Sequence, residues 1–202
     1  MSTSLDVLSI ALAEDRTWGG LRPLPEAVAE LLGELAAPPR LVAHLRAVHE
    51  VAGQLVEWLE VACPQLGFDR AAVLFGAATH DIGKTVWPAE LSGPGSQHEE
   101  AGRELLLAHG VAPESARFAG THAAWAEPGV GVEDLLVSLA DKVWKGKRVA
   151  ELEDLVVAEL VRAAGAPVWE EFLRLDDELT RIAAGAEERL AYQAGYPVRW
   201  SG

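Results

Sequence analysis

Cysteine is almost missing from this chain. Cys63 is the single one in 202 residues, which excludes an internal disulfide framework and any zinc site built from several thiolates. Long apolar runs are missing too. The longest stretch without Asp, Glu, Lys or Arg is Ala71–His80, ten residues, about half of what a membrane-spanning helix needs. The opening Met1-Ser-Thr-Ser-Leu-Asp has no basic start and no extended hydrophobic segment, so no secretory leader is expected and the expected compartment is the cytoplasm. Positive charge is in deficit: 17 Lys and Arg face 31 Asp and Glu, a net charge of −14 with histidine neutral. Such a chain repels a nucleic-acid polymer or an anionic membrane surface unless its cations gather in one place, and neither partner is expected. What is abundant is core-forming material. Half of the residues are hydrophobic and 24% are charged, which excludes a disordered chain, and the length fits one domain.

Helical periodicity runs through the sequence and strand alternation is almost absent, so the expected fold is all-α. A short helix is predicted over Leu5–Glu14, broken by Trp18-Gly19-Gly20, and a second opens at Pro25 and runs to Leu35. Pro38-Pro39 ends it. Arg40–Cys63 follows as a long amphipathic helix, with Leu41, Leu45, Val48, Ala52, Leu55 and Leu59 on one stripe. Asp69 is a candidate N-cap for a helix over Arg70–Ile82 that is apolar nearly all round, the mark of a helix at the centre of a bundle. Ser96 is the candidate cap for Gln97–His109. Helices are also predicted over Pro113–His122 and Val132–Lys145, with two or three more in Val149–Ala194, interrupted near Gly165-Ala166-Pro167. Gly53 and Gly76 fall inside helices, at about 1 kcal/mol each relative to alanine, which points to close helix packing there.

The strongest local feature is His80-Asp81-Ile82-Gly83-Lys84, at the end of the most apolar helix. Both polar side chains are expensive to bury unless they are paired or bind a metal. The order His44, His80-Asp81, His98, His122, Asp141, with Lys84 after the central pair, resembles the HD-domain superfamily of metal-dependent phosphohydrolases. The local contexts match as well: His44-x3-Val48-x3-Ala52-x2-Leu55, AAVLFGAATHDIGK, His98-x3-Gly102-x2-Leu105, and Leu139-Ala140-Asp141-Lys142. The resemblance implies an HD-type helical bundle, with a core over about 39–148 and flanking helices over 1–38 and 149–202 in a single domain. It also implies a role for each motif residue. One ion would take His44, His80, Asp81 and Asp141, and Asp81 would bridge to a second ion held by His98 and His122. The last two histidines are the mark of the two-metal branch.

Imidazole and carboxylate donors suit Mn²⁺, Fe²⁺, Co²⁺, Ni²⁺ or Zn²⁺. The implied cofactor is therefore one or two divalent transition-metal ions. Two ions about 3.5–4 Å apart share a hydroxide nucleophile and clamp the oxygens of an in-line phosphoryl displacement. His44 and His49 compete for the first position. They lie about 60° and 80° to either side of the apolar stripe, so geometry separates them only slightly, and the motif context favours His44. His109 stands eleven residues after His98, about 16 Å along a helix, and belongs to the helix end rather than to the same cluster.

The basic residues near these motifs are Lys84, which follows the His-Asp pair, and Lys142, Lys145, Lys147 and Arg148 after Asp141. Each is either part of a solvated helix face or part of a cationic rim that draws a phosphorylated substrate in. By resemblance Lys84 and Asp81 carry the chemistry, and Lys84, Lys142, Lys145 and Arg148 are the expected substrate contacts. Trp87, Trp125 and Trp144 lie close in sequence and are candidates to stack on a base. The expected activity is hydrolysis of a phosphoester or phosphoanhydride in a small phosphorylated metabolite, with a nucleotide favoured. A mixed-valence di-iron oxygenase of the same superfamily is the alternative, and a non-catalytic metal-binding regulatory module is a third reading.

Overall fold

The computed structural model describes residues 7–8, 11–12 and 21–198, and every regular element among them is helical. The expected helix over 5–14 falls mostly outside the described residues, as does the break at 18–20. Pro25 caps α1 (Glu26–Glu34), and Pro38 precedes α2 (Pro39–Ala62). Proline suits these positions because a helix start has no intrahelical use for its first N–H groups. Asp69 caps α3 (Arg70–Thr79) as predicted, its carboxylate accepting from the N–H groups of Ala71 and Ala72 at 2.8 and 3.1 Å.

The chain departs from expectation after Thr79. A helix to Ile82 was expected, but α3 stops at Thr79 and a short 3-10 turn spans Ile82–Thr85. Asp81, between them, has left the helical region at φ −104° and ψ 11°. That bend is why two consecutive side chains, His80 and Asp81, can face one point instead of diverging by a helical step. A second 3-10 turn, Pro88–Leu91, leads to α4 (Gln97–Ala108). The single helix expected over 113–122 is two short ones, α5 (Pro113–Ala116) and α6 (Phe118–Thr121), joined at Arg117. Then come α7 (Val132–Val143), α8 (Ala150–Ala164), α9 (Val168–Ala183) and α10 (Ala186–Ala194). Gly165 ends α8 in the left-handed region at φ 68°, which glycine adopts without steric cost.

α2 runs through two apolar clusters. The first gathers its C-terminal half with Val73, Ala77, Phe118 and the inward faces of α7, α8 and α9. The second gathers Leu41, Val42 and Leu45 with α1, Ala78, Ile82, Leu106 and Ala119. Ala77 belongs to one and Ala78 to the other, so the chain just before His80 lies on the seam between them. Gly76 allows this packing: a Cβ there would lie 2.7 Å from the Phe118 ring and 2.8 Å from Val137. Gly53 is covered by the Arg22 guanidinium rather than by another helix backbone. No helix of the described residues is long and apolar enough to cross a membrane.

Candidate metal centre

His44 comes from the second turn of α2, and His80 and Asp81 directly follow α3. His98 stands in the first turn of α4, His122 follows α6, and Asp141 lies near the end of α7. All six are buried. The structure brings them together. His44 Nε2 lies 3.3 Å from His80 Nε2, and Asp141 Oδ1 lies 3.8 and 3.4 Å from those two nitrogens. Asp81 divides its oxygens: Oδ2 faces His44 Nε2 at 3.0 Å and His80 Nε2 at 3.6 Å, while Oδ1 faces His98 Nε2 at 3.0 Å and His122 Nε2 at 3.5 Å. The ligand atoms thus fall into two groups that could each hold a metal ion, one of His44, His80 and Asp141 and one of Asp81, His98 and His122.

Several contacts hold the rings in place. His80 Nδ1 lies 2.9 Å from the Ala77 carbonyl and His122 Nδ1 lies 3.0 Å from the Ala119 carbonyl. Donation to these acceptors leaves each Nε2 as the lone-pair nitrogen. His44 packs edge-on against Trp144, ring centroids 4.9 Å apart. His98 Nδ1 faces Glu90 Oε2 at 2.5 Å. Farther out, buried Asp134 ties the His122 segment to α7: it accepts from Arg117 Nε, Thr121 Oγ1 and the Gly131 N–H at 3.1, 2.7 and 3.2 Å. Arg189 of α10 donates to the Trp144 and Ile182 carbonyls at 2.7 and 2.6 Å, fixing the end of α7 just beyond Asp141.

Burial disfavours charge on every group here, and the neighbours decide the outcome. It pushes His44 down despite Asp81, and it pushes His122 down to about 4, helped by the charge of His80. Burial opposes ionisation of Asp81 and Asp141 as well, but the facing imidazoles, with Lys142 beside Asp141, hold both below the ordinary carboxylate range. For His98 the carboxylates of Asp81 and Glu90 outweigh burial and raise it. The lowered His44 and His122 beside ionised carboxylates suit a divalent cation, which takes lone-pair imidazole nitrogens and carboxylate oxygens as donors. His98 Nε2 adds a specific sign: it is buried 3.0 Å from a carboxylate oxygen and makes no hydrogen bond of proper geometry. A cation between the two atoms would satisfy both. Cys63 is buried in the first apolar cluster, so no thiolate enters the set.

The basic residues separate. Lys84 Nζ lies 2.5 Å from Asp81 Oδ2 and Lys142 Nζ 2.5 Å from Asp141 Oδ2, and Lys142 also stands 5.4 Å from the Trp125 ring centroid. Lys145 is exposed, 5.9 Å from the Trp144 ring. Arg148, the remaining expected substrate contact, is engaged by carboxylates of two helices. Its guanidinium bridges Glu153 of α8 and Asp176 of α9 at 2.7 and 2.8 Å, and these partners make it a fastening between helices. His49 is buried away from the cluster beside Arg22, Arg46 and Glu50, and His109 is exposed with Nδ1 2.9 Å from the Leu105 carbonyl at the helix end. Trp144, read in the sequence as a candidate to stack on a base, packs against His44 instead. Glu90 and Asp134 escaped the sequence reading. Only Glu90 left a trace there, a carboxylate eight residues before a predicted ligand.

A helical protein with a buried, all-nitrogen-and-oxygen histidine–aspartate centre is thereby defined. The family model for the HD domain matches residues 41–145, and the chain belongs to the HD-domain family. That family consists mostly of metal-dependent phosphohydrolases, and together with the two His/Asp groups it indicates divalent metal binding. Comparison with curated proteins and with solved structures gives no match.

Proposed function

We propose that this protein hydrolyses a phosphoester or phosphoanhydride bond in a small phosphorylated metabolite, with a nucleotide the favoured class. The observation that supports it most is the division of the Asp81 carboxylate between two histidine pairs. A carboxylate so placed suits a bridge between two cations, with His44, His80 and Asp141 on one side and His98 and His122 on the other. Divalent ions held there supply Lewis acidity toward phosphoryl oxygens and lower the pKa of water.

The chain's own residues do the rest. Hydrolysis forms a bond from water oxygen to phosphorus and breaks the bond from phosphorus to the leaving oxygen, which must gain a proton or an equivalent stabilising charge. Lys84, its side chain 18% exposed and its ammonium on Asp81, is the group nearest the centre with access to an entering phosphoryl group. Its role in this reading is to hold a phosphoryl or leaving oxygen. Lys142 holds Asp141 and adds positive charge at the mouth, beside the face of Trp125, where a base would stack. Lys145 is the outer member of this rim, and the wall formed by Trp144 and the apolar seam limits water around the histidines.

A screen of phosphorylated metabolites with Mn²⁺, Fe²⁺, Co²⁺ and Ni²⁺ supplied in turn tests the proposal. Phosphate release that depends on metal and disappears in Asp81→Asn is the expected result. No release from any substrate, or oxygen uptake by an anaerobically prepared iron form in its place, would overturn it.

A further inference from the structure

Four imidazoles face the centre, and they are oriented by different means. His80 and His122 use carbonyls one turn back on their own segments. His98 uses a carboxylate from another element: Glu90, on the 3-10 turn Pro88–Leu91, lies with Oε2 2.5 Å from His98 Nδ1. The same carboxylate accepts the backbone N–H of His98 at 3.2 Å and that of Gln97 at 3.3 Å. Ser96, the expected cap of α4, makes no side-chain cap hydrogen bond, so Glu90 does its work. The Glu90 side chain is only 8% exposed, and its partners lie seven and eight residues away along a loop. Gly95 makes room for it. A Cβ there would lie 2.3 Å from Glu90 Oε1 and 2.7 Å from Cγ.

We infer that Glu90 is a positioning residue for the half of the centre formed by Asp81, His98 and His122. The inference rests on the metal-centre reading above. Glu90 accepts a hydrogen bond from His98 Nδ1–H, so the lone pair stays on Nε2, and it fixes both the ring and the first turn of the helix that bears it. An imidazole hydrogen-bonded to a carboxylate is also a stronger donor than one bonded to a carbonyl. The hydrogen bonds and ion pair of Glu90 go to Gln97 and His98 and not to His44, His80 or Asp141, so the residue should act on one subsite and leave the other alone.

The test is titration of the EDTA-stripped full chain with Co²⁺, followed by visible absorption and calorimetry, in wild type, Glu90→Gln, Glu90→Ala and Gly95→Ala. The expected result is unchanged affinity for one ion and an affinity for the other lowered by about 10- to 100-fold in Glu90→Ala. Glu90→Gln should restore part of the loss, because its amide oxygen still accepts from Nδ1. Gly95→Ala, which displaces the carboxylate without removing it, should weaken the same ion. The Co²⁺ spectrum of the second equivalent should change in these variants, and a simple loss of helix stability would not select one ion. Wild-type binding of all ions by Glu90→Ala overturns the inference, and so does an equal loss of every ion. Wild-type protein that binds no ion sinks the metal reading itself, a result distinct from either.

Discussion

Gly83 offers the sharpest test of how the centre is held. It sits two residues after Asp81 and one before Lys84, where the 3-10 turn meets α4 backbone to backbone. A Cβ on Gly83 would lie 1.9 Å from the His98 carbonyl oxygen, 2.6 Å from the Gly102 nitrogen and 2.8 Å from the His98 carbonyl carbon. None of these is the end of a flexible side chain. Relief requires α4 to move by more than about 1 Å from the turn, since carbon–oxygen contacts settle a little below the roughly 3.5–4.0 Å of carbon pairs. Overpacking of this kind costs about 1–3 kcal/mol, and two backbones with no room between them put Gly83→Ala at the upper end. The same movement draws His98 Nε2 away from Asp81 Oδ1, now 3.0 Å apart. Gly83→Ala should therefore lose about 3 kcal/mol in urea unfolding of the metal-free protein and should also bind the second divalent ion more weakly. Gly33→Ala is the control: its Cβ meets nothing within 4 Å inside α1, so a gain of about 0.5–1 kcal/mol is expected. If Gly83→Ala unfolds at the wild-type urea concentration and binds metal normally, the close approach does not hold these elements together.

Asp81→Asn keeps the shape but removes the charge shared by both histidine pairs; it should lower metal content and reduce turnover by roughly 10³-fold or more, measured by elemental analysis and phosphate release. Lys84→Ala should keep the metals and lose about 10²- to 10³-fold in kcat, whereas Arg148→Ala should leave kcat and KM alone and cost about 1 kcal/mol of stability, because its ion pairs are partly exposed. Equal kinetic effects of the two would refute the division made between them. His49, buried beside Arg22 and Arg46, is pushed down to about 4, mainly by burial. The unfolded chain therefore takes up this proton first as pH falls, so stability present above about pH 6.5 is lost down to pH 4, by about 3 kcal/mol at most. In EDTA, His49→Leu should show a shallower loss of stability across that window than wild type; parallel curves would remove His49 as a cause. Inorganic phosphate should bind the Mn²⁺-loaded protein and fail to bind the EDTA-treated one by calorimetry, and equal binding would show that the lysines suffice.

Much of the site was legible because it is written in local pattern. The stripe Leu41, Leu45, Val48, Ala52, Leu55 and Leu59 follows the helical period, and all six residues are buried in α2. Asp69 shows as a cap because capping acts over two or three residues. The histidines and aspartates stood out because buried titratable side chains are rare among apolar neighbours. What could not be read depends on elements distant in sequence. Arg148 lies seven residues after Asp141, yet Glu153 and Asp176 claim it, and only the packing of α8 against α9 brings Asp176 within reach. Glu90 in place of Ser96 as the group that caps α4 is the same kind of outcome, because a loop closure sets which oxygen meets the free N–H groups. The early end of α3 at Thr79 has no signal in the local pattern, since Asp81 and Ile82 are compatible with a helix and the imidazoles that Asp81 meets across the bend come from distant segments.

The proposed phosphorylated substrate must be reconciled with the acidic charge of the chain. Asp81 and Asp141 are held ionised, and each has one lysine ammonium at 2.5 Å, Lys84 and Lys142. The two ammoniums balance the two carboxylates, burial keeps His44 and His122 toward the neutral form, and Glu90 adds negative charge beside His98. The protein groups alone give an incoming phosphate no net attraction, and the surrounding surface, with a formal chain charge of −14, opposes it. Under the proposed function the attraction must then come with divalent charge added at the seam, and the lysines would act as orienting contacts over a few ångströms rather than as a long-range field. Substrate binding linked in this way to metal occupancy would keep anions out of an unloaded centre. It would also make Asp81, the carboxylate common to both histidine pairs, the residue on which the proposed recruitment and chemistry both depend.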